Sequence, residues 1–257
     1  VAGIMEHIEE AGIHSGDSAC TLPPRSLSPT VLATIRENTR KLALHLKVNG
    51  LINVQYAVKD GAVYVLEANP RASRTVPFVS KATGLPVARI ATWVMMGKPL
   101  KKLLPAAVLK GLVEPPYTAT KVAVMPFIKF PGTDPMLGPE MKSTGEVMGL
   151  DADFPRSFAK SQEAAGMNLP TSGSVFVSVR DEDKVRIVPL ARSLRQLGFT
   201  LVATRGTTDF LTRHGLKTAR VAKVGEGKPD VVDLIRQKTL SLVINTPSSK
   251  RSRADGY

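Results

Sequence analysis

An alternating run, Ile52-Asn-Val-Gln-Tyr-Ala-Val58, is followed by Asp60-Gly61 and by a second apolar run, Val63-Tyr-Val-Leu66, which closes on Glu67-Ala-Asn-Pro-Arg71. Two short β-prone runs around an Asp-Gly turn signal predict an antiparallel hairpin. In the first strand Ile52, Val54, Tyr56 and Val58 share one face, and Asn53, Gln55 and Ala57 the other. A two-residue turn at Asp60-Gly61 sets Gln55 opposite Leu66. A three-residue loop, Asp60 to Ala62, sets Gln55 opposite Glu67, Ala57 opposite Val65 and Tyr56 opposite Leu66. Only the second keeps polar with polar and apolar with apolar across the pair, so it is the expected register.

Glu67 and Asn69 stand two residues apart in an extended strand, so their oxygens converge on one side, as a hard cation such as Mg²⁺ requires. Gln55 joins them across the hairpin. Arg71 and Arg74 follow at once and bring positive charge for phosphate. An acid, two amides and two arginines point to metal-assisted phosphoryl chemistry on ATP. The Glu-x-Asn pattern is short, however, and Asn69-Pro70 is also a common strand ending.

Composition narrows the alternatives. The net charge of +13 raises nucleic acid as a partner, but the basic residues are dispersed and aromatic residues make up only 5% of the 257. That leaves little stacking material, and no DNA-reading module is present, so nucleic acid is not expected. The densest basic cluster, Lys250-Arg-Ser-Arg253, is read as solvated charge. Anionic small ligands and an acidic partner subunit account better for the sign. No uncharged apolar run reaches 18 residues, so no membrane span is expected. A single cysteine, Cys20, allows no internal disulfide and fits a reducing, cytoplasmic setting.

Ser28-Pro29 opens a helix with a serine cap and proline at the first helical position; Val31, Leu32, Ile35, Leu42 and Leu46 carry it to Lys47, and Asn49-Gly50 stops it. A second helix is expected over Pro86 to Met96, ended by Gly97. Leu22 to Pro24 and Lys98 to Pro105 read as connections. Residues 111–150 are proline- and glycine-rich, with loop signals at Pro115-Pro116, Phe130-Pro-Gly132 and Leu137-Gly-Pro139. Asp151 to Lys160 reads as helical, and Gly166 to Gly173 as a linker. Beyond it, strand-like runs at 174–179, 200–203, 219–224 and 240–245 alternate with amphipathic segments at 183–197 and 230–236. That alternation predicts a parallel α/β sheet. Ligands of such sheets bind beyond the carboxyl ends of the strands, where Thr204-Arg-Gly-Thr207, Lys223 and Asn245 gather phosphate-compatible groups. Gly206 lets backbone approach an anion, and Thr207 is read as the cap of the next helix. Each has a plain structural reading too: Thr207 as a cap only, Lys223 as solvated charge, Asn245 as a turn residue.

The runs Glu6-His-Ile-Glu-Glu-Ala-Gly-Ile-His-Ser-Gly-Asp-Ser18, Asn53 to Val58, Glu67 to Arg71, Arg74-Thr-Val-Pro-Phe-Val-Ser-Lys-Ala-Thr-Gly84 and Leu137 to Gly149 resemble the carbamoyl phosphate synthetase large subunit, in order over nearly the whole chain. That subunit contains two ATP-grasp halves, and Arg74-Thr-Val-Pro-Phe is similar to the C-terminal one, which phosphorylates carbamate. The resemblance implies an α/β fold in three parts. Residues 1–110 are the C-terminal part of an ATP-grasp domain with an antiparallel sheet. Residues 111–166 are a loop-rich closing segment. Residues 167–257 are an incomplete methylglyoxal-synthase-like allosteric domain. The family chain is far longer, so this one reads as a fragment, inactive alone.

By the same resemblance, Gln55, Glu67 and Asn69 are the divalent-metal ligands around the phosphates, with Mg²⁺ or Mn²⁺ bound and K⁺ a further candidate. Gln55 and Glu67 also belong to the ATP site, together with Gly12, Ile13, His14 and Ser15. Arg74 is the catalytic arginine near the transferred phosphate. His14 is read as a binding or loop residue rather than a base, since nothing near it in sequence orients it. Glu9 and Asp17 match residues that bind ornithine in bacterial enzymes, but a further glutamate of that site is Val122 here. Lys184, Thr204, Thr207, Lys223 and Asn245 match a nucleotide-effector site, in which a further threonine is Pro247 here. The implied partners are a glutaminase small subunit, ATP, bicarbonate, ammonia and a nucleotide effector such as UMP or IMP, in an oligomer of heterodimers. Two other readings stand beside this one: another ATP-grasp ligase of the biotin-carboxylase kind, and a nucleotide- or phosphate-sensing module without catalysis.

Overall fold

The computed structural model describes residues 1–111, 114–129 and 132–246. Pro247, the basic cluster 250–253 and the first two residues of Phe130-Pro-Gly132 therefore lie outside the described residues. The chain divides into two compact units, Val1–Met167 and Asn168–Tyr257.

In the first unit, β1 (Glu6–His7) and β2 (Cys20–Leu22) lead to α1 (Pro29–His45), the hairpin β3 (Asn53–Lys59) and β4 (Ala62–Asn69), then α2 (Thr75–Thr83) and α3 (Val87–Met95). A short α4 (Ala106–Lys110), β5 (Thr118–Val124), β6 (Gly145–Asp151) and α5 (Phe154–Ala164) complete it. Strands β1, β2, β5 and β6 form a four-stranded antiparallel sheet in that order, and β3–β4 is a separate two-stranded sheet. Leu22, Phe78, Val79, Ala82, Val87 and Ala119 make one core beneath α2 and α3. Ile4, Val31 and Ile35 make another, against which Tyr56 and Val63 of the hairpin pack.

Local chemistry explains most boundaries. Ser28 caps α1, its hydroxyl accepting from the Val31 N–H at 3.3 Å, with Pro29 at the first helical position. The helix ends at His45, two residues short of the expected Lys47, which lies at φ 50°. Asp153 caps α5 through the Arg156 N–H, again followed closely by proline. Helix α2 was not foreseen: no side chain caps it, and the residue at its start is Arg74. The segment expected to be loop-rich holds β5 and β6, half of the main sheet, and the connection expected after α3 holds a 3₁₀ turn at Leu100–Lys102.

The hairpin differs from expectation in an instructive way. Its turn has two residues, not three: Lys59 pairs with Ala62, with Asp60 at φ 53° and Gly61 at φ 78°. Both central residues thus adopt the positive φ that tight hairpins favour. Tyr56 faces Val65 and Ala57 faces Tyr64, one residue off the expected pairs. Between Gln55 and Tyr56 the register shifts, leaving Leu66 as an extra residue, and Gln55 meets Glu67 and Asn53 meets Asn69. A β-bulge inserts one unpaired residue and so reverses the alternation beyond it. Val63 and Val65 oppose Val58 and Tyr56, whereas Glu67 and Asn69 oppose Gln55 and Asn53 on the polar side.

The second unit runs β7 (Ser174–Val179), α6 (Lys184–Gln196), β8 (Thr200–Thr204), α7 (Arg205–Arg213), β9 (Ala219–Val221), α8 (Val231–Arg236) and β10 (Leu242–Thr246). Its sheet is parallel throughout, in the order β10-β7-β8-β9. Val175, Val177, Leu201 and Ala203 are fully or almost fully buried against α6 and α7. Phe176, Val202 and Val221 fill the other face beside α8. Strands covered on both faces read as apolar runs, and the central β7 and β8 do over Val175–Val177 and Leu201–Ala203. No helix among the described residues is long and apolar enough to cross a membrane.

Candidate functional site

The bulged hairpin sets the first site. Gln55, Glu67 and Asn69 line a cavity of about 940 Å³ in the first unit, together with Arg71, Arg74 and the segment Gly12 to Ser15. Asn53, not singled out from the sequence, stands in the same polar row and donates to the Thr75 hydroxyl at 3.2 Å; that hydroxyl also lies 2.6 Å from Ser73 Oγ. These bonds tie the strand to the start of α2, where Arg74 sits. The Arg71 N–H bonds back to the Asn69 carbonyl at 2.8 Å and turns the chain out of β4.

Arg74 is held from below. Its guanidinium contacts Met141 Sδ, and its Nε lies 4.0 Å from Glu146 Oε1. The same oxygen accepts from Lys121 Nζ at 3.3 Å, and Lys121 also donates to the Ser15 carbonyl at 3.3 Å. A lysine 1% exposed is tolerable only with such partners. Sequence reading missed Lys121 and Glu146, because a lone charge in a short strand looks like a solvent-facing residue. They link the arginine to the Gly12–Ser15 segment through one carboxylate.

That segment is a tight loop. His14 N–H bonds to the Gly138 carbonyl at 2.8 Å, and its ring Nδ1 accepts the Gly16 N–H at 3.0 Å. The ring is thus engaged in loop bonding. Asp17 is buried and accepts the backbone N–H groups of Lys142 and Ser143, both at 2.8 Å. Burial alone pushes its pKa up, but the bonds from Ser143 and Lys142 outweigh this and leave it below the ordinary carboxylate range. Glu9 accepts from the Ala19 N–H at 2.7 Å, and burial raises its pKa. Asp17 does not line the cavity, whereas Glu9 does. Val122 is buried and apolar. The structure therefore gives both carboxylates of the expected ornithine pair structural work with backbone. Burial pushes the Cys20 thiol up to about 12, so it is no nucleophile.

Asp17→Asn is expected to destabilise the first unit by about 1–3 kcal/mol at pH 7, since two backbone N–H groups, that of Ser143 buried, lose an anionic acceptor. The folded pKa is depressed, so the contribution is present above the unfolded value near 4 and is lost as pH falls through the folded one. Urea unfolding of both proteins should show a gap at pH 7 that narrows as pH falls below the unfolded value near 4. A constant gap would show that the carboxylate charge is irrelevant.

In the second unit the expected anion residues all lie at the carboxyl edge of the parallel sheet. Thr204 ends β8, Lys223 follows β9, Asn245 stands in β10 and Lys184 opens α6. Thr207 is not the cap of α7: the helix starts at Arg205 after Thr204, which puts Thr207 inside the first turn. Lys184 Nζ bonds to Asp181 at 2.6 Å and lies 3.5 Å from where a side chain on Gly206 would begin. The Asp181 pKa is lowered first by its bond to Lys184, with the charge of Lys223 adding to it.

Residues 1–103 match the family model for the carbamoyl-phosphate synthase L chain ATP binding domain, and residues 186–257 match the model for the MGS-like domain. The carbamoyl phosphate synthase large chain of Archaeoglobus fulgidus is 58% identical over all of this chain, which covers 24% of that protein. The large chain from Methanosarcina barkeri is 53% identical, with 63% of it covered. The C-terminal section from Aquifex aeolicus is 52% identical, with 50% covered. The chain thus spans about a quarter to under two thirds of the length of these relatives. Among solved structures, the biotin carboxylase domain of a single-chain bacterial carboxylase aligns at 17% identity over 57% of this chain and 39% of that one, with a TM-score of 0.44.

Proposed function

The chain belongs to the carbamoyl phosphate synthase large-chain family, joining its ATP-binding domain to an MGS-like domain, and we propose that it serves the phosphorylation of carbamate by ATP. In this reading a glutaminase small subunit supplies ammonia, carboxyphosphate derived from bicarbonate becomes carbamate, and a carbamate oxygen then attacks the γ-phosphorus of a second ATP as ADP leaves. The observation that carries it is the bulge that aligns Gln55, Glu67 and Asn69 in one cavity with Arg74 and the Gly12–Ser15 segment. The MGS-like match over residues 186–257 speaks against a biotin-carboxylase-like ligase.

The donor set fits a phosphate-bound Mg²⁺ or Mn²⁺. It offers one carboxylate and two amide oxygens, too few for a protein-only cage but suited to an ion that brings its own waters and phosphates. No group of three or more His, Cys, Asp or Glu among the described residues forms a denser metal site. Held by Gln55, Glu67 and Asn69, such an ion would neutralise charge on the phosphates. On this reading Arg74, linked through Glu146 to Lys121, stabilises charge on the transferred group, and the Gly12–Ser15 loop lines the nucleotide; their shared cavity and the Glu146 contacts support it. The MGS-like unit is read as the seat of a nucleotide effector at Lys184, Thr204, Thr207, Lys223 and Asn245, in a cytoplasmic oligomer of heterodimers. By itself the chain is read as catalytically silent.

In a large chain carrying this segment, Arg74→Met is expected to lower kcat for ATP formation from ADP and carbamoyl phosphate by about 10²–10³-fold with little change in nucleotide KM. An unchanged kcat would exclude Arg74 from the transfer step.

A further inference from the structure

Beside the proposed effector site lies a second hollow, of about 300 Å³, lined by Arg205, Arg220, Glu226 and Lys228 among others. Its charges are unequal in commitment. Lys228 is spent on Asp230 at 3.1 Å and Asp233 at 2.8 Å. Arg205 and Arg220 form no ion pair among the described residues, and Glu226 is the one acidic side chain in the lining. An arginine on an edge strand such as β9 can serve only to guard that edge. Here, however, a second guanidinium, from the first residue of α7, opens onto the same hollow.

Arg205 also joins this hollow to the carboxyl edge of the sheet, because it follows Thr204 directly. Thr204 and Thr207 are 5% and 2% exposed. Thr208 donates to the Ala203 carbonyl at 3.0 Å, whereas Thr204 and Thr207 have no hydrogen-bond partner through their hydroxyls among the described residues. No fully buried polar side-chain atom among those residues is left unpartnered, so both hydroxyls keep some exposed surface. Two hydroxyls without partners among the described residues, and Lys223, thus lie at the sheet edge, and two guanidiniums without an ion pair among those residues line the adjoining hollow, while Lys184 is already bonded to Asp181. One phosphate cannot use them all.

Resting on the effector-site reading above, we propose that the Arg205–Arg220 hollow holds the outer phosphate of a nucleoside di- or triphosphate whose inner phosphate meets Thr204, Thr207 and Lys223. Planar guanidiniums suit this task, since each can give two parallel bonds to phosphate oxygens. Glu226 favours a phosphate still carrying a proton or a counter-ion at that end.

The test is calorimetric titration of the chain with UMP and with UTP at fixed salt. UTP is expected to bind at least about tenfold tighter than UMP. The double variant Arg205→Gln/Arg220→Gln should bring the two within about threefold while leaving UMP affinity unchanged. A charge-matched variant at the other end of α7, Arg213→Gln/Lys217→Gln, should keep the preference, which separates the hollow from general attraction by a basic protein. Equal binding of UMP and UTP by the unaltered chain overturns this inference and leaves the effector site standing. So does a preference that survives in the Arg205/Arg220 variant. No binding of either nucleotide overturns both readings.

Discussion

Inserting one alanine between Gln55 and Tyr56 is expected to abolish metal-dependent nucleotide binding at the hairpin and to lower phosphoryl transfer by about 10³-fold or more. The reason lies in Leu66. As an extra residue on β4, it lets a two-residue turn coexist with Gln55 opposite Glu67. The insertion would give Leu66 a partner and make the ladder regular. Simple alternation from Val63 and Val65 would then carry Glu67 and Asn69 to the side facing α1, along with Gln55 and Asn53. The apolar end cannot turn instead. Val63 and Tyr56 pack against Ile4, Val31 and Ile35, and the Tyr56 hydroxyl lies 2.9 Å from Thr39 Oγ1.

Deleting Leu66 tests the same idea from the other side. Removal of the extra residue leaves Gln55 opposite Glu67 in a regular ladder, so binding should stay within about tenfold of the unaltered protein, the loss reflecting altered local twist. Mn²⁺ binding in the presence of ADP, followed by electron paramagnetic resonance in a large chain carrying each change, gives the comparison. An insertion variant that binds normally, or a deletion variant as damaged as the insertion, would rule the bulge out as the device that aims these ligands.

The hairpin also shows how far sequence can be read. Matching polar with polar found the Gln55–Glu67 pair, because burying one face makes a wrong pairing costly. The turn length inferred from it was wrong, since a bulge uncouples turn length from distant register, and no residue type marks Leu66 as the extra one. The parallel sheet of the second unit was legible for a different reason. Its two central strands are covered on both faces, so Val175 to Val177 and Leu201 to Ala203 read as apolar runs. Strand β5 was not, because Lys121 breaks its apolar pattern and the carboxylate that allows its burial, Glu146, is 25 residues away. Helix α2 was missed because nothing caps it; its start is defined by tertiary packing of Phe78, Val79 and Ala82.

Gly149→Ala is expected to destabilise the first unit by about 3 kcal/mol or more, at the upper end of overpacking costs. Gly149 on β6 pairs with Thr120 on β5, and α5 lies across both strands. A Cβ there would stand 2.1 Å from the Ser157 carbonyl oxygen and 2.7 Å from the Ser161 nitrogen. Both are backbone atoms of α5, so no rotamer change relieves the clash and the helix must lift. Lifting it breaks the bond between the buried Thr120 and Ser157 hydroxyls and strains the Lys160–Asp151 pair at 2.7 Å. The residue needs glycine for space, not for backbone freedom. Gly138, with nothing within 4 Å of its would-be Cβ, is the matched control: Gly138→Ala should stay within about 0.5 kcal/mol. Because β5 and β6 carry Lys121 and Glu146, the Gly149 variant should also loosen the support of Arg74. Urea unfolding, with hydrogen exchange of the α5 amides, reads both effects. A Gly149→Ala midpoint equal to that of Gly138→Ala would mean that α5 does not press on the sheet as closely as these distances require.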